Sequence, residues 1–355
     1  MTTPTAARDR TRATGADLRA ALESAATWLL ANAERINALN VFPVPDGDTG
    51  TNMSLTLRAA VDGLHQLEDQ APVSEVAHSA YQAAMLGARG NSGVILSQLL
   101  SGFSQALADA RELSPVGLAE ALGQASDVAY RGVSRPVEGT ILTVAREVAV
   151  AARAAAGSGA DLPAMLKQTA QAADVAVAAT PMQLDVLRKA GVVDAGGEGY
   201  RVILEGAWMW STGRSIDDEA AVHPYSRALV EAIEEESAYG FCTELLLREC
   251  DLPLVDVKSR METLGESVIV VGDQALMRLH VHTLRPGQAL EFAVEHGTLA
   301  RVKVENMQLQ HEAFAAAAHA SDGQDGQPPS TTGVIAVAAG EGLLKVFRSL
   351  GATVV

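Results

Sequence analysis

The chain has 355 residues, more than a single hydrophobic core usually fills, so we expect at least two domains. Its formal charge of −16 comes from 43 acidic and 27 basic residues, and this shortage of cations argues against a nucleic-acid partner. Two cysteines, Cys242 and Cys250, are too few for a disulfide framework. Because the sequence lacks both a bilayer-length apolar run and an apolar signal core, we expect a cytoplasmic protein without a transmembrane segment.

Residues 16–213 have the sequence pattern of packed helices. The preceding segment, residues 1–15, is polar, and we expect it to be a disordered tail. From Asp17 to Ala38, apolar residues recur at three- and four-residue spacing, with Asp17 as the expected N-cap. The same periodicity returns after Asn52 in segments rich in alanine, the best helix former. We therefore predict seven to nine helices in this part.

The sequence pattern changes near residue 217, after an acidic segment that reads as a linker. Residues 222–310 contain three strand-like segments and two helix-like segments, which predict a small α+β domain: 241–247, 266–272 and 275–282 for strands, and 254–264 and 286–297 for helices. Residues 321–332 have the composition of a flexible linker. In 333–355 a β-α-β pattern begins, and we interpret it as the truncated start of a C-terminal α/β domain.

The residues most informative about chemistry lie between Asn40 and Asn52, where two prolines and two glycines interrupt the helical pattern. Asp46 and Asp48 are two residues apart in a predicted turn. With Asn40, they can direct oxygen atoms to one point, which is the arrangement that a hard dication such as Mg²⁺ requires. The sequence therefore predicts a magnesium site in this loop.

The residues that follow the two aspartates favour an anion. Thr51 and Asn52 start the next predicted helix, and the free N–H groups of a helix N-terminus attract negative charge. Two alternatives remain for the aspartate loop. An Asx-rich turn without a ligand is one. An EF-hand is the other, but it fails because its twelfth position, which needs Glu, is Leu57.

Three further loops are rich in glycine and small residues, and each borders a predicted helix: Gly87–Gly93, Pro136–Thr140 and Val193–Gly199. Exposed backbone N–H groups in such loops suit a polyphosphate, and Ser92 adds a hydroxyl to the first loop. None is a Walker loop, since no Gly-Lys pair occurs in the sequence. Because turns between helices are often glycine-rich, a loop without a ligand is the alternative for each of the three.

Together, these four loops resemble the kinase domain of the bacterial fatty acid kinase catalytic subunit, which belongs to the dihydroxyacetone kinase L-subunit (DhaL) superfamily. The resemblance extends from about Asp17 to Val355. It implies a mainly α protein with an N-terminal eight-helix DhaL-type barrel at 16–213. It also implies that this barrel binds ATP at one rim, with two Mg²⁺ ions between protein carboxylates and the phosphates. Beyond 333, it implies a DegV-like C-terminal region.

The resemblance also implies roles for individual residues. Asp46 and Asp48 would be the catalytic Mg²⁺ ligands, with Asn40 near the position of a third. The residues at the nucleotide would be Thr49, Thr51, Asn52, Gly90, Asn91, Ser92, Gly93, Thr140, Asp194, Gly196 and Gly197. Dihydroxyacetone kinases of the superfamily carry Asp and His where this chain has Asn40 and Thr49, a difference that matches the fatty acid kinase branch.

A second candidate metal site lies in the α+β domain. His280 and His282 are two residues apart on a predicted strand, so both imidazoles face the same side, and Cys242 lies on another strand. One thiolate and two imidazoles match tetrahedral Zn²⁺ with a fourth ligand or water. On spacing alone, two histidines in an ordinary strand near a buried cysteine are the favoured interpretation. The resemblance favours zinc, since the family has Tyr-Gly-(Tyr/Phe)-Cys-Thr-Glu and His-Val-His-Thr segments there.

The function expected from these observations is an ATP- and Mg²⁺-dependent kinase that phosphorylates a fatty acid to acyl phosphate for phospholipid synthesis. The resemblance implies a DegV-like fatty-acid-binding carrier protein as partner, and we expect a homodimer. Two alternatives stay open. One is a dihydroxyacetone-type (glycerone) kinase acting on a small polyol, and the other is a non-catalytic module that binds nucleotide or metal.

Overall fold

The computed structural model describes residues 11–214, 240–310 and 312, together with the backbone of two short strands, Ile335–Ala336 and Thr353–Val354. The first range forms a helical domain of ten α-helices: α1 (Gly15–Ala31), α2 (Ala33–Asn37), α3 (Thr49–Asp62), α4 (Val73–Gly87), α5 (Gly90–Ala106), α6 (Pro115–Gly132), α7 (Ile141–Gly157), α8 (Leu162–Ala179), α9 (Asp185–Ala190) and α10 (Ala195–Thr212).

Eight of these helices are long, and they close into a barrel. Each long helix packs against the next one along the chain, and α10 returns to α1. The helices bury leucine, valine and alanine side chains in one continuous core. The predicted mainly α fold with an N-terminal eight-helix barrel is therefore confirmed, and the short helices α2 and α9 lie in its connections.

The N-terminal ends of α3, α5, α7 and α10 lie together at one end of the barrel, which we call the rim. Gly90 at the start of α5 contacts the side chain of Asn52 in the first turn of α3. One turn further in, Gly199 of α10 contacts Met53 of α3. Gly196, also in α10, contacts Ile141 at the start of α7. The glycine-rich loops that the sequence singled out therefore border one common surface.

The barrel encloses an apolar cavity of about 890 Å³. Its walls are mainly leucine side chains, with Phe103 and Tyr200 among them. Residues at its outer end include Thr14 before α1 and Gly213 after α10. Since α10 starts at the rim, this outer end lies away from the rim. Among the residues that the structure describes, no helix combines the length and apolarity needed to cross a membrane.

The start of the barrel differs from the prediction. Thr14, not Asp17, is the N-cap of α1: its hydroxyl accepts a hydrogen bond from the Asp17 N–H, while the Asp17 carboxylate accepts one from the Thr14 N–H. Ala13 pairs with Leu113, so residues 11–15, which the prediction placed in a disordered tail, have defined structure. Residues 1–10 lie outside the described residues.

The helix predicted from Asp17 to Ala38 is divided into α1 and α2 at Asn32. The Asn32 amide donates to the Trp28 carbonyl at 2.9 Å, and this local hydrogen bond competes with the regular helical pattern. The break redirects the chain toward the Asp46–Asp48 loop.

Residues 240–310 form a smaller α+β unit, the middle domain. Its elements are β1 (Phe241–Arg248), α11 (Leu254–Leu264), β2 (Glu266–Gly272), β3 (Leu276–Thr283), α12 (Pro286–His296) and β4 (Thr298–Asn306). The four strands form an antiparallel sheet in the order β2-β3-β1-β4. The first three strands and both helices agree with the prediction from the sequence, which missed β4.

The two faces of this sheet differ in chemistry. One face is apolar and packs on α11 and α12 through residues such as Leu247, Met277 and Met261. On the other face, the strand register places polar and charged residues side by side: Cys242, Glu244, Arg278, His280, His282, Arg301, Lys303 and Glu305. We call this second surface the polar sheet face.

The polar sheet face is turned toward the helical domain. Ile269 and Val271 of β2 pack against Ala88 and Val94 beside the start of α5. Cys242 packs against Val44 in the loop that leads to Asp46. The middle domain therefore covers part of the rim with charged and metal-binding residue types.

The remaining predictions concern the segments between and after these domains. The proposed linkers, near 217–224 and at 321–332, lie outside the described residues. Beyond them, Ile335–Ala336 pairs in parallel with Thr353–Val354. Parallel pairing of consecutive strands needs a crossover connection, which agrees with the β-α-β pattern expected for 333–355.

Candidate functional site

Asp46 and Asp48 lie in the loop before α3, half-buried at the rim. Their side chains are hydrogen-bonded to each other. Burial, together with the neighbouring Asp48 charge, raises the pKa of Asp46 well above its ordinary value. Burial also raises the pKa of Asp48, although hydrogen bonds from Asn52 and Asp46 and the charge of Lys303 oppose the rise. Two carboxyl groups that repel each other in a semi-enclosed loop are a set that a dication would stabilise.

Asn40 supports this loop and does not present a free ligand atom. Its side-chain oxygen accepts hydrogen bonds from the N–H (3.0 Å) and the hydroxyl of Thr49, and its amide donates to the Val44 carbonyl at 2.7 Å. Both oxygen lone pairs are thereby used within the protein. The expected metal ligation by Asn40 therefore does not fit the structure. The same bonds occupy the Thr49 side chain, which had been expected at the nucleotide.

The first turn of α3 is held from two sides. Thr51 forms two hydrogen bonds with the Asn37 side chain, at 3.0 and 3.1 Å, so its N–H is not available to an anion. Asn52 is buried and hydrogen-bonded to Asp48. Of these two residues, Asn52 is the one that the structure brings to the aspartates.

The loop before α5 joins this site through Gly90. Gly90 has a positive φ of 58°, and its backbone lies against the Asn52 side chain. Its N–H donates to a carboxylate oxygen of Glu244 at 2.7 Å. In the next turn, the side-chain oxygen of Asn91 is buried and has no hydrogen-bond partner among the described residues. Ser92 is half-buried, and the Gly93 N–H is used inside α5.

Thr140 and Asp194 are the N-cap residues of α7 and α10. The Thr140 hydroxyl donates to the Val137 carbonyl at 2.7 Å. Asp194 accepts hydrogen bonds from the N–H groups of Gly197, at 2.7 Å, and Ile141. Burial raises the pKa of Asp194 to about 6, and these two N–H groups limit the rise. Both side chains therefore fix the helix ends, and their contact with a nucleotide stays a prediction.

Gly196 and Gly197 allow α10 to approach α7 closely. A Cβ at Gly197 would lie 2.8 Å from a methyl group of Val144, and one at Gly196 would lie 3.3 Å from Ile141. These glycines bring two helix N-termini together at the rim. Their predicted role at the nucleotide is untested by these contacts.

The predicted zinc residues come together on the polar sheet face. One ligand atom each of Cys242, His280 and His282 lies within 4.8 Å of the others. The Nε2 atom of His280 is buried without a hydrogen-bond partner among the described residues. Burial, with the nearby His280 charge, lowers the pKa of His282 to about 3, so its imidazole is neutral. Burial raises the pKa of Cys242. Neutral imidazoles and an enclosed thiol fit a zinc ion, which would stabilise the thiolate.

Four charged residues of the polar sheet face were not singled out from the sequence. Glu244, Arg278, Lys303 and Glu305 alternate with apolar residues along their strands and share one face with the cysteine and histidines. Strand alternation could have revealed this common face. Its contact with the rim has no local sequence signal.

Comparison with protein families identifies both domains. Residues 43–209 match the DAK2 domain, and residues 238–314 match the FakA-like middle domain of fatty acid kinases. The chain is therefore a DAK2-domain protein, a class of kinases. With the second domain following the first, it belongs to the FakA-like fatty acid kinase family, as the resemblance predicted.

Curated relatives agree with these matches. Protein YloV of Bacillus subtilis is 36% identical over 339 residues, and an uncharacterized protein of Staphylococcus haemolyticus is 37% identical over 336 residues. Each alignment covers 91% of this chain and 61% of the relative. The chain thus spans less than two thirds of the length of these relatives.

Two solved structures resemble part of the chain. They are the dihydroxyacetone kinase from C. freundii in complex with AMP-PNP and Mg²⁺ and the native form of that enzyme, with TM-scores of 0.42 and 0.41. Sequence identities are 19% and 18%, and the matches cover 58% of this chain and 36% and 37% of those chains.

Proposed function

We propose that the protein is an ATP- and Mg²⁺-dependent kinase that transfers the γ-phosphoryl group to the carboxylate of a fatty acid, giving acyl phosphate. The observation that carries this proposal is the hydrogen-bonded pair of Asp46 and Asp48 at a rim where four helix N-termini meet. Carboxylates for a dication and N–H groups for an anion are the parts that a metal-bound triphosphate requires.

The chemistry of phosphoryl transfer assigns a limited set of tasks to this chain. Asp46 and Asp48 would hold Mg²⁺, which when bound neutralises charge on the phosphate oxygens. The start of α5, with Asn91 and Ser92, would orient the phosphate chain against the acceptor. A fatty acid carboxyl group has a reference pKa of about 4, so it is already a nucleophile near neutral pH. The site therefore needs no general base.

The acceptor is proposed from the middle domain and from the position of the cavity. The middle domain is that of the FakA-like fatty acid kinase family. The apolar cavity of the barrel opens away from the rim, so an acyl chain entering there would approach from the end remote from Asp46 and Asp48. We therefore propose that a separate DegV-like carrier protein presents the fatty acid carboxylate at the rim. We also propose Zn²⁺ at the Cys242, His280 and His282 cluster.

The test compares Mg²⁺-dependent ADP release by the wild type and Asp48→Asn, with a lipid-loaded carrier or dihydroxyacetone as acceptor. We expect carrier-dependent turnover that falls roughly 10²- to 10³-fold in the variant, as when a group that stabilises developing charge is removed. Asp69→Asn is the matched control, because Asp69 is exposed in the α3–α4 connection. Full activity of a folded Asp48→Asn protein would refute the site. Turnover with dihydroxyacetone alone would refute the fatty acid acceptor, and ATP binding without any turnover would refute catalysis.

A further inference from the structure

A buried ion pair joins the middle domain to the rim. Glu244 of β1 and Arg278 of β3 lie on the polar sheet face, with 2.7 Å between a carboxylate oxygen and a guanidinium nitrogen. Their side chains are 5% and 4% exposed. Neither residue belongs to the Cys242, His280 and His282 cluster or to the Asp46–Asp48 pair.

Arg278 binds the C-terminal end of α4. Its guanidinium donates to the carbonyl of Met85 at 3.0 Å, to that of Leu86 at 3.4 Å, and to that of Ala88. The last carbonyls of a helix lack partners within the helix and carry partial negative charge. A guanidinium therefore matches this helix end both in hydrogen bonding and in charge.

Glu244 binds the N-terminal end of the next helix. Its second oxygen accepts the hydrogen bond from the Gly90 N–H at 2.7 Å. A carboxylate is stabilised by the partial positive charge of a helix N-terminus. The pair therefore holds both ends of the short turn between α4 and α5, the guanidinium on one side and the carboxylate on the other.

This turn is in contact with the residues around the aspartate pair. Gly90 lies against the Asn52 side chain, and Asn52 is hydrogen-bonded to Asp48. Asn91 and Ser92 follow Gly90 directly in the first turn of α5. A displacement of Gly90 would therefore move both the start of α5 and the side chain that holds Asp48.

Adhesion between the domains does not require this pair. Ile269 and Val271 already pack on Ala88 and Val94 beside it. Because desolvation of two charges offsets most of their attraction, a buried ion pair contributes little net stability compared with apolar residues of similar volume. A buried ion pair does impose a defined geometry, since each charge needs its specific partners.

We propose that Glu244 and Arg278 are positioning residues of the kinase site, through which the middle domain fixes the Gly90 turn for phosphate binding. This inference rests on the proposed function, in which the start of α5 holds the phosphates. The site is then built from two domains, and the geometry of its phosphate-binding end depends on the docking of the middle domain. The ion pair acts on the nucleotide through the backbone of Gly90.

The experiment measures the affinity of the full chain for a non-hydrolysable ATP analogue with Mg²⁺ by calorimetry, with thermal unfolding measured in parallel. Arg278→Met should weaken this affinity at least about tenfold, as loss of a buried charge partner typically does. Arg301→Met is the matched control. Arg301 also lies on the polar sheet face, and its hydrogen bond to the Leu86 carbonyl, at 3.2 Å, is directed to α4 rather than to Gly90. We expect its affinity to stay within about twofold of the wild type.

Glu244→Gln gives a second test that preserves side-chain volume. The amide oxygen can still accept from Gly90, but the charge facing Arg278 is lost, so affinity should fall while the protein stays folded. Combining this change with Arg278→Met should weaken binding no more than Arg278→Met alone, because both act through one turn.

Two negative results have different meanings. If the wild type binds the analogue, Asp48→Asn does not, and Arg278→Met and Glu244→Gln bind like Arg301→Met, the pair is only an interdomain contact and this inference is overturned. If the wild type does not bind the analogue at all, the proposed function fails and the inference fails with it.

Discussion

The ammonium group of Lys303 lies 2.7 Å from a carboxylate oxygen of Glu305 on the polar sheet face. In the strand register, Lys303 lies opposite Glu244, which binds the start of α5, and Glu305 lies opposite Cys242, which packs beside the aspartate loop. The charge of Lys303 also acts on Asp48 and lowers its pKa. The middle domain thus supplies a cation to the region of the rim that holds the two aspartates.

Lys303→Met should therefore lower turnover by about tenfold or more, because a cation near the transferring phosphoryl group offsets the charge that develops there. Lys303→Arg should retain part of the activity, since it keeps the charge. Steady-state ADP release with the lipid-loaded carrier gives the measurement. Lys167→Met on the exposed side of α8 removes the same charge away from the rim and serves as the control. Equal turnover of Lys303→Met and Lys167→Met would show that Lys303 has no catalytic effect.

Cys242→Ser should remove zinc from the purified protein. A serine hydroxyl is a poor zinc ligand compared with a thiolate, and the remaining imidazoles of His280 and His282 hold a zinc ion less tightly. Metal content measured by mass spectrometry on folded protein should fall from about one zinc per chain to well below it. Cys250→Ser provides the control, because Cys250 is buried in the apolar core of the middle domain. Equal zinc content in the two variants would contradict the cluster.

Local sequence patterns were sufficient to locate the aspartates and the glycine-rich loops. Asp46 and Asp48 lie in a proline- and glycine-bounded segment, and their closeness follows from a spacing of two residues in a turn. The loops meet because long helices joined by short connections alternate in direction, which brings every second N-terminus to the same end of a barrel. These parts of the site depend on the chain near each residue and on the helix count.

Other parts of the site depend on contacts that no local pattern encodes. The contact of Glu244 with Gly90 joins residues 154 positions apart across a domain interface. Asn40 was assigned to the metal because amide oxygens are suitable ligands, but the loop backbone uses that oxygen itself. The strand β4 did have a signal, the alternation of Val302 and Val304 with charged residues, and that signal was overlooked.

Asp194→Asn should change the pH dependence of stability. The pKa of Asp194 is raised to about 6 in the folded protein from an ordinary 3.8, so the folded state holds this proton more tightly than the unfolded state. The resulting stabilisation is complete below about pH 4 and is lost as the pH rises through 6, up to about 3 kcal/mol in total. An asparagine can still cap α10 but does not titrate.

The measurement is the free energy of unfolding in urea between pH 5 and pH 8 for the wild type and Asp194→Asn. The variant should gain stability relative to the wild type as the pH rises. Asp185→Asn, at the exposed start of α9, should show no such change. A constant difference between wild type and Asp194→Asn over this pH range would mean that burial does not control the titration of Asp194.

Gly50→Ala should destabilise the protein and disturb the aspartate loop. A Cβ at Gly50 would lie 2.2 Å from the carbonyl oxygen of Ala33, a backbone atom of α2 that cannot move independently. The first turn of α3 would have to shift away from α2, at a cost of about 1–3 kcal/mol for overpacking. Asp48, the N-cap of α3, would shift with that turn. Stability in urea and affinity for the Mg²⁺-bound ATP analogue should therefore both decrease.

Gly157→Ala provides the opposite outcome within the same domain. Gly157 is the last residue of α7, and a Cβ there would meet no atom within 4 Å. Alanine restricts the unfolded chain more than glycine does, so this change should stabilise the protein by about 0.5–1 kcal/mol and leave nucleotide affinity unchanged. If Gly50→Ala matched Gly157→Ala in both measurements, the close contact between α2 and α3 would have no part in holding the aspartates.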